Sequence, residues 1–108
     1  MPLSRREKIE ALLKDEPRDP FLRYGLAVEL DNESRFEESL AIFRTLMTDQ
    51  PPHVASYFRG AQLLAKLDRV GEARAALRDG IEIARQQGDS HAAGEMSELL
   101  ASLGALGE

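Results

Sequence analysis

Residues 35–53 read RFEESLAIFRTLMTDQPPH, and residues 69–87 read RVGEARAALRDGIEIARQQ. Arg35 falls 34 positions before Arg69, Glu38 before Glu72, Ala41 before Ala75 and Arg44 before Arg78. Self-similarity at a fixed spacing restricts a chain more than any local propensity does. Each period must be one supersecondary unit, and the units must stack to bury what a single one leaves uncovered. The phase also holds beyond the two segments. Ala27 pairs with Ala61 and Leu30 with Leu64, while Tyr24 matches Phe58 and Phe43 matches Leu77. Ile9, Leu12 and Pro17 precede Phe43, Leu46 and Pro51 by the same 34 residues.

Apolar residues recur at helical spacing through almost the whole chain. Ile9, Leu12 and Leu13 share a face of a first helix, opened by Ser4 and Glu7 in a capping box. Pro17 and Pro20 end that helix, and a second starts near Pro20, where proline is tolerated in the first turn. Asp31–Ser34 reads as a turn. The spacing predicts further helices over 35–49, 54–67, 70–87 and 90–103. Gln50-Pro51-Pro52 stops the third, and Gly88 and Asp89 supply a C-cap and an N-cap between the last two. The tail 104–108 is expected to fray. No stretch alternates with period two, so no strand is predicted.

This 34-residue pattern resembles the tetratricopeptide repeat family. The family's places for Trp, Leu, Gly and Tyr on one helix, then Ala, Phe and Pro on the next, hold Arg23, Leu26, Ala27, Leu30, Ser39, Phe43 and Pro51 in one unit. In the next they hold Tyr57, Gly60, Ala61, Leu64, Ala73, Leu77 and Arg85. Arg23, Gly60 and Arg85 depart from the pattern. Arg85 in place of proline lets the fifth helix run on toward Gly88, and Tyr24 or Phe21 is available for the aromatic place lost at Arg23. The resemblance implies an all-α fold, a right-handed α-α superhelix of about six helices. It implies one domain over 1–108: a half repeat at 4–17, repeats at 20–53 and 54–87, and a capping helix at 89–104.

Composition narrows the function. The chain has no Cys, which removes disulfides, thiol catalysis and cysteine metal sites and suits a reducing, cytoplasmic setting. Its net charge is −5, distributed as +1 over 1–18, −4 over 19–53, +2 over 54–88 and −4 over 89–108. Nucleic-acid binding draws on clustered Lys and Arg, so a nucleic-acid partner is not expected. Neither is a membrane, because no apolar run approaches the roughly 18–20 residues that span a bilayer. His53 and His91 lie 38 residues apart and are read as exposed surface residues. Zinc needs three or four ligands, so neither metal nor cofactor is expected. No nucleophile elbow or phosphate loop is present, so the chain is not read as an enzyme.

The resemblance places partner binding on the concave face, built from the first helix of each repeat. There the helical phase sets Tyr24 and Val28 in one repeat and Phe58, Arg59, Gln62 and Lys66 in the next. One reading makes Tyr24 and Phe58 an aromatic floor with Arg59 and Lys66 as a cationic side, suited to an acidic or C-terminal peptide. The other makes the two aromatics half-buried supports. The asparagines with which some family members grip a C-terminal carboxylate should fall at Gly25 and Val28, or at Arg59 and Gln62, and are absent. The acidic stretch 29–38 lacks Ca²⁺-loop spacing and is read as a solvated turn. The expected function is a protein or peptide interaction module. The alternative is a homo-oligomer, such as a homodimer, using the concave face or the last helix, whose Met96, Leu99, Leu100, Leu103 and Leu106 either cap the fifth helix or remain sticky.

Overall fold

The computed structural model describes residues 2–107, with side chains through residue 104. The described residues form six helices in chain order: α1 (Arg5–Asp15), α2 (Pro20–Asn32), α3 (Phe36–Met47), α4 (Val54–Lys66), α5 (Val70–Gln86) and α6 (Ser90–Gly107). The last helix thus extends past the expected end at 103. The side chain of Leu106 lies outside the described residues.

The helix starts are set by local chemistry. Ser4 Oγ accepts from the Glu7 amide at 3.1 Å, and the Ser4 amide donates to the Glu7 carboxylate at 3.0 Å, closing the capping box on α1. Asp19 caps α2 by accepting from the Leu22 amide at 3.1 Å. Asp89 does the same for α6 from the Ala92 amide at 3.0 Å. These caps satisfy amides that have no partner inside their helices.

Three helix ends share one hydrogen-bond pattern. The Arg35, Arg69 and Asp89 amides each donate to the carbonyl five residues back, on Leu30, Leu64 and Ala84, at 2.8 Å. The residue before each donor is left-handed: Ser34 at φ 62°, Asp68 at φ 62° and Gly88 at φ 74°. This is the Schellman geometry, in which carbonyls left over at the helix end are satisfied. The 34-residue period is therefore visible in the backbone itself. The first turn sits slightly later than the sequence suggests, because Asp31 belongs to α2.

Successive helices pack on one another, and α6 also touches α4. The close approaches fall on the small residues of the repeat. Ala27, Ser39, Ala61 and Ala73 are completely buried, and Ser39 Oγ donates to the Ala27 carbonyl at 2.6 Å. Phe43, Leu40, Leu46 and Leu77 fill the space between helices. Cross-repeat ion pairs run along the second helices, Glu37 with Arg69 at 3.0 Å and Arg44 with Glu72 at 3.2 Å.

The two ends of the stack differ. No α1 residue is buried, and Leu12 is 55% exposed although its repeat counterpart Leu46 is 0% exposed. At the other end Met96 and Leu103 are buried and Leu99 and Leu100 are half-buried against the core. The apolar face of α6 therefore covers α5 and part of α4.

Candidate functional site

Helices α2, α4 and α6 border a cleft of about 240 Å³ lined by Tyr24, Val54, Ala55, Phe58, Asp89, His91, Ala92 and Glu95. The structure thus brings Tyr24 and Phe58 together, as the repeat phase predicts. Both are half-buried and pack on the core, so each serves as support and as wall. The Tyr24 ring meets Phe43 edge-on at 5.7 Å between centroids and lies 5.2 Å from the His53 ring. Phe21, one turn before Tyr24, is 79% exposed.

The other predicted residues do not line this cleft. Val28 is half-buried and Gln62 is exposed. Arg59 and Lys66 are not a free cationic side. Both bind Asp31, Arg59 at 3.4 Å and Lys66 through a direct hydrogen bond. Lys66 Nζ also sits 4.8 Å from the centroid of the Phe36 ring, within cation–π reach. Asp31 is only 6% exposed, so it cannot be part of a solvated turn. A carboxylate out of water requires opposite charge and hydrogen bonds, and the next repeat supplies both.

His53 also departs from expectation. It is half-buried, with its ring tilted against Tyr24 and Nδ1 2.8 Å from Ser56 Oγ. Burial lowers its pKa, with Arg23 adding to the effect and Asp49 opposing it. His91 is exposed as expected, with Nε2 3.1 Å from Glu95. Among the described residues, no three His, Asp or Glu side chains gather as a metal site would require.

A larger cavity of about 730 Å³ lies at the loop end, lined by Arg18, Arg23, Asp49, the 50–54 segment and Gln87 among others. Arg23 and Asp49 pair in its lining at 2.7 Å. Arg23 thus replaces an aromatic side chain with an ion pair joining α2 to the end of α3.

The arrangement recurs in solved proteins. A tetratricopeptide repeat domain protein from Salinibacter ruber, solved in solution, superposes with a TM-score of 0.79 at 32% identity, covering 83% of this chain and 91% of that one. The chain belongs to the tetratricopeptide repeat family. A crystal structure of a tetratricopeptide repeat domain protein from the same organism agrees, with a TM-score of 0.75 at 31% identity over 82% of this chain and 99% of that one. A Bordetella parapertussis protein shares the fold at 21% identity, with a TM-score of 0.82 over 96% of this chain and 90% of that one. No family model and no curated protein matches the chain. The tetratricopeptide assignment accounts for α2/α3 and α4/α5 as paired helices. No helix among the described residues is long and apolar enough to cross a membrane.

Proposed function

We propose that this tetratricopeptide repeat protein is a non-catalytic, cytoplasmic interaction module that docks a segment of a protein partner on its concave face. The observation that carries this reading is the cleft itself: the first helices of both repeats and the last helix contribute to it, and Tyr24 and Phe58 form its aromatic wall. Aromatic side chains at the centre of a concave surface are the usual anchors of protein binding. Exposed Phe21 extends the apolar track on α2.

The test is capture from source-cell extract on the immobilised chain, with Tyr24→Ala and Phe58→Ala run in parallel. Thermal melts of both variants separate loss of docking from loss of folding. We expect each variant to weaken capture by an amount equivalent to at least about 1 kcal/mol. Undiminished capture by two folded variants would rule out the concave face. Gel filtration over a range of concentrations tests the homo-oligomer alternative. A concentration-dependent dimer lost in Phe58→Ala would make the occupant of the groove a second copy.

A further inference from the structure

The charge on the cleft is opposite to what the sequence phase suggests. Its lining holds two carboxylates, Asp89 and Glu95, and no Lys or Arg. The nearest candidates on α4, Arg59 and Lys66, are bound to Asp31. Residues 89–104, which form the cap and the described side chains of α6, hold three carboxylates, Asp89, Glu95 and Glu98, and no Lys or Arg. We infer that the concave cleft takes a Lys or Arg side chain from a basic partner segment, with a neighbouring apolar side chain of that segment against Tyr24 and Phe58. This rests on the concave-face docking reading and specifies the chemistry of its ligand.

Three features set that chemistry. The first is size. At about 240 Å³, the cleft is smaller than the roughly 300–1,000 Å³ of small-molecule sites, and it suits one long side chain. The second is the wall. Aromatic faces attract cations as well as apolar groups, so Tyr24 and Phe58 accept the aliphatic stem and the charged head of Lys or Arg alike. The third is the rim. Asp89 gives one oxygen to the α6 cap, which offsets the positive end of that helix. Glu95 lies beyond the first turn and, among the described residues, its charged partner is His91 at 3.1 Å. Glu95 is therefore the carboxylate placed to pair with an incoming cation, and the acidic rim would repel the acidic tail that a free Arg59 and Lys66 would have drawn.

Selection from a random dodecapeptide phage library on the full chain reads this directly. Selection on Tyr24→Ala and Phe58→Ala, both verified by thermal melt, gives the background. We expect peptides with Lys or Arg next to an apolar residue to be enriched on the parent and not on the variants. A synthetic copy of an enriched peptide should bind Glu95→Gln roughly fivefold more weakly than the parent. It should bind Glu98→Gln, a substitution outside the cleft lining, as the parent does. The parent's affinity should also fall with added salt. Enrichment of acidic or uncharged peptides that still depends on Phe58 would overturn the cation inference and leave the docking face standing. Equal enrichment on parent and aromatic variants would overturn both.

Discussion

Gly80 of α5 lies directly against Tyr57 of α4. A methyl group on Gly80 would sit 2.6 Å from Tyr57 Cβ and 2.7 Å from Met96 Sδ, closer than carbon atoms approach. Gly80 thus fixes the distance of α5 from α4 on one side and from α6 on the other. Alanine favours helix over glycine by about 1 kcal/mol, yet overpacking should dominate here. We expect Gly80→Ala to lower stability by about 1–3 kcal/mol in urea unfolding. Gly71, in the same helix with open space around it, is the control. Gly71→Ala should raise stability by about 0.5–1 kcal/mol. Equal effects at the two sites would mean that α5 is free to move away from its neighbours.

Ser34 and Asp68 both take left-handed backbone angles at the repeat turn, where a side chain is disfavoured. Ser34→Gly should raise the urea midpoint, with a gain of about 0.5–1 kcal/mol after the added freedom of the unfolded chain is allowed for. Asp68→Gly should gain less, because short polar side chains such as Asp adopt this region more readily. A destabilised Ser34→Gly variant would mean that the serine side chain contributes more than its backbone strain costs.

Asp31 joins the first repeat to the second through Arg59 and Lys66. Replacing both cations by alanine leaves a nearly buried carboxylate without its charged partners. We expect a loss of about 1–3 kcal/mol. Asp31→Asn should cost less, since it removes the buried charge and lets the two exposed-end cations turn to water. The order of the two chemical denaturation midpoints decides the matter. If the double variant is the more stable of the two, Asp31 is not held by charge.

His53 should make stability depend on pH. Burial holds its folded pKa below the ordinary 6.5, so the unfolded chain binds its proton more readily. The contribution is complete above the unfolded value and is lost as pH falls from there toward the folded pKa. Glu7, held down by the Ser4 hydrogen bonds, and Glu38 and Glu72, held down by Arg35 and Arg69, lie below the ordinary 4.5. Their effect enters only at lower pH. Melting temperatures between about pH 8 and 5.5 should fall for the parent and stay flatter for His53→Gln. Identical slopes would assign the change to another group.

The fold was legible because its signals are local and repeated. The 34-residue phase located the paired helices, and the caps at Ser4 and Asp89 and the left-handed Gly88 follow from residue type alone. Tyr24 and Phe58 were legible as one site because they share a repeat phase. The electrostatics were not. Arg59 and Lys66 come 28 and 35 residues after Asp31, so their pairing appears only once α2 and α4 lie side by side. The available signal was a lone acid on the inner phase of α2 facing lone cations on the inner phase of α4. Glu95 and Asp89 were missed for another reason. Adding 34 to Ala55 and Phe58 does reach Asp89 and Ala92 of the cleft, but Asp89 reads from sequence as the cap of α6, and Glu95 falls 34 residues after Ala61, a core position.

The exposure of Leu12 has a kinetic consequence. In a stack, each helix is held mainly by its neighbours, and α1 is held on one side only, by half-buried apolar contacts and the Arg6–Glu33 pair at 2.9 Å. Helix α5, packed between α4 and α6, is held on both. Amide exchange should therefore be graded along the chain, fastest in α1 and slowest in α5, where protons leave only when the whole molecule opens. A protease offered the native protein should cut first near residues 16–19 and leave a resistant fragment beginning at α2.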